Sequence, residues 1–360
     1  MPTVNGIIKY LERIAPAWMA EQNDSIGLQV GEPQSEVTCI AVAVNPSEAV
    51  IDRSITEGAQ LLVTHHPLIR NPLKSLDTSD PTVIRAIKLI RANIALFVLH
   101  TNFDVARGGV NDVLAERLGL RNVRALVGGR ADTYYKVVVF VPDEALANVR
   151  EAMARAGAGI IGNYSSCSFR TKGIGSFVAE SGAQPYVGSL GCLEEVEEWR
   201  LEMICTHSVL ADVLTAMRDA HPYEEVAYDI YQLANNAPRL GLGRVGMLDQ
   251  ETTLAEYADF VRQELSVEYP RVFGDAKRPV KTVAICGGGG ARLYPDAVSA
   301  GADVFVTADW KYHDIQNALA LGMAVIDAGH FETEKPGIVA LAERLAREFT
   351  PDDVVVKYVE

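Results

Sequence analysis

TCIAVAV (38–44), PSEAVIDRSITEG (46–58), AQLLVTHHP (59–67), PTVIRAIKLIRAN (81–93) and IALFVLH (94–100) decide the fold. The first, third and fifth carry short continuous runs of Val, Ile, Leu and Ala. The second and fourth are longer, with apolar residues at helical spacing. Strands without polar alternation are buried on both faces, and strands separated by helices form parallel sheets covered on both sides. Gly58 and Pro81 sit where a helix end and a helix start place them. Toward the N-terminus, Ile7, Ile8, Leu11 and Ile14 predict an amphipathic helix over 6–19. Toward the C-terminus, GVNDVLAERLGL (109–120) predicts another.

The same rhythm returns after residue 241. A helix TLAEYADFVRQEL (253–265) precedes the strand TVAIC (282–286), four glycines (287–290) and a helix LYPDAVSAG (293–301). Then follow strand DVFVTAD (303–309), helix HDIQNALALG (313–322), strand AVIDAG (324–329), helix PGIVALAERLAREF (336–349) and strand DVVVKYV (353–359). Residues 1–125 and 241–360 therefore read as one discontinuous α/β core with a mostly parallel sheet. The middle differs. YYKVVVFVP (134–142), DEALANVREAMARAG (143–157), two strands within 161–180, EEWRLEMICT (197–206), SVLADVLTAMRDA (208–220) and EVAYDIYQL (225–233) run in a ferredoxin-like order. An inserted α+β domain is expected at 126–240. RNVRALVGGR (121–130) and NNAPRLGLGRVG (235–246) read as its connecting loops.

The 360 residues, 48% hydrophobic and 22% charged, have the balance of a globular chain. With 33 Lys plus Arg against 47 Asp plus Glu, the net charge is −14, which disfavours nucleic acid and anionic membranes as partners. No apolar run approaches the roughly 20 residues of a membrane helix. The N-terminal segment lacks a signal peptide's apolar stretch, because Lys9, Glu12 and Arg13 interrupt it. Cys39, Cys167, Cys192, Cys205 and Cys286 are odd in number and widely spaced, as in a reducing cytoplasm.

The polar residues cluster after the core strands. Thr64-His65-His66-Pro67, His100-Thr101-Asn102-Phe103-Asp104, Gly287–Gly290, Thr307-Ala308-Asp309 with His313, and His330-Phe331-Glu332-Thr333-Glu334 each follow one. Open α/β sheets bind ligands at the carboxyl ends of their strands. His65, His66, Asp104, His330 and Glu334 bring imidazole and carboxylate donors to one rim, a set that suits Zn, Fe or Mn. Five donors exceed the roughly three of a mononuclear catalytic zinc, so two divalent ions are expected, with Asp104 or Glu334 bridging. His100 and His313 stand outside the set as candidate general acid or base. Glycines 287–290 offer backbone N–H groups to an anion.

THHPL (64–68), HTNFD (100–104), TADWKYHDIQNA (307–318), DAGHFETE (327–334) and DSIGLQVG (24–31) resemble the GTP cyclohydrolase 1 type 2 homologue family, the NGG-interacting-factor-like dinuclear metal-centre proteins. HPYEEVAYDIYQL (221–233) resembles the CutA-like or PII-like insert of its longer bacterial members. The resemblance implies two metal ions at the five donors and a ring-shaped homohexamer. Ser25 stands where the family commonly has Asn, Ala308 where it has Gly, and the glycine loop lacks a serine. The expected function is metal-dependent hydrolysis of an anionic, nucleotide or phosphate-bearing small molecule. The alternative is a metal-binding regulator or metal chaperone without turnover.

Overall fold

The computed structural model describes residues 1–128, 131–162 and 164–360. It divides into two units, Met1–Arg130 with Leu240–Glu360, and Ala131–Arg239.

The α/β core is present, and its strands divide between two sheets rather than one. The first runs in the order Gly27–Val30, Ala95–Val98, Leu61–Thr64, Cys39–Ala43, Val355–Tyr358. Its last four strands are parallel and Gly27–Val30 is an antiparallel edge. Alternate residues enter opposite cores, as the period of two requires. Ile40, Val42, Leu61, Val63 and Phe97 pack with the helices Val4–Ile14 and His330–Phe349, while Ala41, Leu62, Leu96 and Val98 pack with Glu48–Thr56 and Pro81–Arg91. Each fully buried Leu contributes about 2 kcal/mol by burial alone.

The second sheet runs Arg271–Phe273, Ala324–Asp327, Val304–Thr307, Pro279–Ile285, Arg244–Thr253, Arg121–Ala125. Its parallel centre is Pro279–Ile285, Val304–Thr307 and Ala324–Asp327. Residues 121–125, expected as a loop, form an edge strand, and the lead-out at 244–246 starts another. Arg121–Ala125 is exposed or half-buried throughout and carries no apolar alternation, so nothing in the sequence marks it. The first helix ends at Ile14 rather than 19, before Pro16 and a short 3₁₀ turn at Ala17–Met19.

One helix joins the two sheets. His330–Phe349 leaves the second sheet after Ala324–Asp327, buries Ile338, Leu341, Leu345 and Phe349 in a core of the first, and leads to that sheet's edge strand Val355–Tyr358. It begins six residues before Pro336, where the sequence pattern started it, because the chain turns at Gly329 (φ 84°) and Thr333 hydrogen-bonds back to the carbonyls of Gly329 and His330. Gly329 supplies the positive φ at no steric cost.

The second unit is an antiparallel sheet ordered Ser168–Val178, Leu193–Thr206, Ala131–Val141, Tyr228–Arg239. Helices Leu146–Arg155 and His207–Ala220 cover one face around Val137, Val139, Leu201 and Met203. The element order β-α-β-β-α-β is ferredoxin-like. None of the helices among the described residues is long and apolar enough to cross a membrane.

Candidate metal centre

His65 and His66 extend the strand Leu61–Thr64. Their backbone N–H groups donate to the carbonyls of Ala43 (3.2 Å) and Val44 (2.9 Å), which pins the pair to the sheet. Both rings, and those of His100 and His330, are then oriented through Nδ1. His65 Nδ1 meets the Leu99 carbonyl at 2.8 Å, and His66 Nδ1 meets Asn45 Oδ1 at 2.7 Å. His100 Nδ1 meets Asp24 Oδ1 at 2.8 Å, and His330 Nδ1 meets Asp309 Oδ2 at 2.7 Å. Each partner is an oxygen acceptor, so each Nδ1 carries the proton. Such outer partners fix the tautomer of a metal-binding histidine and leave Nε2 free as the donor.

The free nitrogens of His65, His66 and His330 converge on Glu334. Glu334 Oε1 lies 3.5 Å from His65 Nε2 and 3.1 Å from His330 Nε2, while Oε2 lies 3.4 Å from His66 Nε2. Asp104 Oδ1 is 3.6 Å from His65 Nε2. His66 Nε2 and His330 Nε2 face each other at 3.3 Å. Among the described residues, two groups of donors are close enough to hold an ion: His65, His66 and His100, and His66, His330 and Glu334. His65 Nε2, Asp104 Oδ1 and Glu334 Oε2 are buried without a hydrogen-bond partner. Each such atom costs about 1–3 kcal/mol if left unsatisfied. Three of them at one point, together with opposed imidazole nitrogens, fit a bound metal.

The charges show what the fold assembles there. Burial disfavours a cationic His65, yet the carboxylates of Asp104 and Glu334 outweigh it and raise its pKa to about 9. The hydrogen bond to Glu334, together with Asp309, raises His330 to about 9, and burial lowers His66. Burial raises Asp104 to about 6. It also works against the charge on Glu334, but the surrounding histidines hold that carboxyl well below its ordinary value. Without metal, these shifts favour protons on His65 and His330, whose charge offsets that of the carboxylates. Bound cations would displace those protons.

The glycine loop serves this centre from the backbone. Gly288 has φ +64°, and a Cβ there would overlap Glu334 Oε1. Three of the four amides expected to cradle an anion are already used. Gly287 N–H donates to Asn111 Oδ1 (2.9 Å), Gly288 N–H to Thr333 Oγ1 (2.9 Å) and Gly290 N–H to Thr307 Oγ1 (3.0 Å).

The family model for Duf34/NIF3 (NGG1p interacting factor 3) matches residues 2–360. The chain belongs to this family. It is 40% identical to a "GTP cyclohydrolase 1 type 2 homolog" of Halalkalibacterium halodurans over 99% of this chain and 97% of that one. It is 44% identical to the protein of the same name from Bacillus subtilis, covering 91% and 89%. Among solved structures, a Bacillus cereus protein related to NIF3 superposes with a TM-score of 0.84 at 42% identity, covering 99% and 96%.

In this family member the structure brings together all five donors expected from the sequence, with His100 beside them. The His100 ring lies 5.2 Å from that of His65 and 5.6 Å from that of His66. His313 is not brought in. It is exposed on the helix Tyr312–Ala320, its ring against Tyr312, and belongs to neither donor group. Asn45 and Asp24 lie outside the site residues expected from the sequence. Asp24 opens the DSIGLQVG motif, accepts from His100 and Thr101, and is held well below its ordinary pKa: burial opposes this, and those hydrogen bonds outweigh it. The motif's other polar residues hold the neighbouring loop. Ser25 Oγ donates to the Arg70 carbonyl (2.6 Å), and Gln29 makes two bonds to the backbone of Ile69 (2.8 and 2.9 Å).

Proposed function

We propose that the chain holds two divalent ions, Zn, Fe or Mn, and hydrolyses a nucleotide or another phosphate-bearing substrate. Glu334 carries the reading: its carboxylate lies within 3.5 Å of the histidines proposed for both ions, His65 for one and His66 and His330 for the other. That is the disposition of a carboxylate shared by two cations. When bound, such a pair supplies acidified water and positive charge for a developing oxyanion. His65 and Asp104 would hold one ion, His66 and His330 the other, and Glu334 both. His100 moves the proton. Asp24 orients its ring through Nδ1, which leaves Nε2 as the exchanging atom. The reading includes the homohexamer that the family resemblance implies, which sedimentation would test.

The experiment pairs elemental analysis with hydrolysis of a panel of nucleotides and phosphodiesters; the relatives' name puts GTP on it. Two ions per chain and metal-dependent turnover, both lost in His65→Ala, are expected. Undiminished turnover in the metal-stripped protein or in His65→Ala would overturn the reading. One observation favours the regulator instead. The Ala131–Arg239 unit contains a cavity of about 750 Å³ lined by Phe140, Glu198, Arg200 and Tyr223, roomy enough for an effector. Wild-type protein that turns over nothing but binds a small molecule differently with and without metal would select it.

A further inference from the structure

A second cavity, of about 820 Å³, lies beside the metal centre in the Met1–Arg130 and Leu240–Glu360 unit. Small-molecule pockets span about 300–1,000 Å³. His66 and Asn45 line it, so the side chain that orients the His66 ring also faces the cavity. The loop after His66 supplies Arg70 and Lys74, and the helix Pro81–Arg91 supplies Arg85. We propose that this cavity binds the phosphate group of the substrate, with Arg70, Lys74 and Arg85 as its ligands. The proposal rests on the hydrolytic reading above and gives that site a substrate class, a phosphomonoester of nucleotide size.

Three observations carry it. First, among the described residues none of the three cations pairs with a carboxylate. In a chain of net charge −14, the acids of the adjoining helix, Glu48 and Asp52, both pair with Lys88 outside the cavity lining. Asp80 is the one acidic residue among the lining residues, and its Oδ1 caps the backbone N–H of Thr82 (2.7 Å). Second, the cations are placed by the fold. Arg85 donates from Nε to the Pro81 carbonyl (3.1 Å) and from Nη1 to the Pro46 carbonyl (3.2 Å), which leaves further N–H groups of its fork for an anion. Gln29 and Ser25 clamp the backbone at Ile69 and Arg70. Third, the glycine loop, the other anion site the sequence offered, has spent three of its amides. A local cationic patch on an acidic chain favours a small anion over a long polyanion, which the rest of the surface repels. A phosphate held by these cations, in a cavity that His66 also lines, supplies binding energy that positions the substrate.

The test measures binding of inorganic phosphate, GMP and guanosine to metal-loaded protein by calorimetry at fixed ionic strength. Wild type should bind GMP much more tightly than guanosine. Arg70→Gln and Lys74→Gln should each weaken GMP about tenfold, and the double variant about a hundredfold, since each removes a charge-assisted contact. Guanosine affinity and metal content should not move. Both side chains are exposed, so folding is not at stake; Arg85→Lys keeps a charge at the third position and should lose less than Arg85→Gln. Wild type that binds neither phosphate nor GMP, unchanged GMP affinity in the double variant, or a short oligonucleotide bound more tightly than GMP would each overturn the proposal. The two readings fail separately. Variant-sensitive GMP binding without turnover keeps the phosphate site and removes the hydrolase, while turnover with insensitive GMP binding does the reverse.

Discussion

His221 in the inserted unit and His330 in the core are each held by oxygen or backbone partners, yet they differ in what they have left. His221 spends both ring nitrogens inside its own unit. Nε2 meets the Phe140 carbonyl at 3.0 Å, and Nδ1 accepts from the Tyr223 N–H at 3.1 Å. His330 spends Nδ1 on Asp309 and leaves Nε2 toward Glu334 and His66. His65 and His66 follow His330. A histidine with one nitrogen anchored and the other facing carboxylates is built to receive something; one with both nitrogens satisfied is part of the scaffold.

The sharpest attack on this contrast is Glu334→Gln. The amide keeps the size and removes the charge that the three histidines surround, and it bridges cations poorly. The variant should keep its fold, hold at most one ion tightly and lose hydrolytic activity by about a thousandfold or more. Elemental analysis finding two ions, with full activity, would break the comparison at its centre.

Next comes the outer partner. Asp309→Asn leaves all five donors in place but removes the carboxylate that orients His330 through Nδ1. Affinity for one ion should fall about 10–100-fold, the usual cost of losing such a partner, as metal titration with a competing chelator would show. Asp309 adopts φ 59°, a left-handed conformation that Asn also tolerates, so the backbone should not rearrange. An affinity equal to wild type would mean that the Nδ1 anchor does not distinguish the two kinds of histidine.

These partners explain how much of the site was legible. The donors themselves are local in sequence, at the ends of apolar strands, and reading them needs only the rule that ligands gather there. Their anchors are not local. Asp24 reaches His100 across 76 positions and Asn45 reaches His66 across 21, so only the folded chain shows them. His313 follows the strand Val304–Thr307 much as His330 follows Ala324–Asp327, and no pattern separates them. The chain turns at Asp309 and starts the helix Tyr312–Ala320 with His313 facing solvent. The fold was legible where strands are fully buried, as at Leu61–Thr64. The division into two sheets was not, because strand partners are set by non-local pairing: Val355–Tyr358, from the far end of the chain, joins Cys39–Ala43 rather than the strands that precede it.

Removing the insert tests the contrast at the scale of whole units. Leu126 N–H donates to the Gly243 carbonyl (3.2 Å) and Val127 N–H to Leu242 (3.1 Å), continuing the pairing of Arg121–Ala125 with Arg244–Thr253. The chain thus leaves and re-enters the core as neighbouring antiparallel strands, which a two-residue Asn-Gly turn can close. A chain joined from Gly128 to Gly241 in this way should fold and carry the same metal content as the full protein. Aggregation or metal loss would make the insert part of the centre.

The smallest effect on the metal belongs to His221→Ala. The imidazole bridges the Phe140 carbonyl on the strand Ala131–Val141 to the Tyr223 backbone just after the helix His207–Ala220, and it stacks edge-on against Tyr223 at 4.9 Å. It is nearly buried, so removing it leaves a carbonyl and an N–H in a gap and should cost the inserted unit about 1–3 kcal/mol. Because both nitrogens are already used, none was available to a cation, and metal content should match wild type to within error. Thermal denaturation followed by the fluorescence of Trp199, the tryptophan of this unit, should show the loss, while elemental analysis should show none. If metal falls with His221, then two satisfied nitrogens do not mark a scaffold histidine, and the rule that picks out His65, His66 and His330 fails with it.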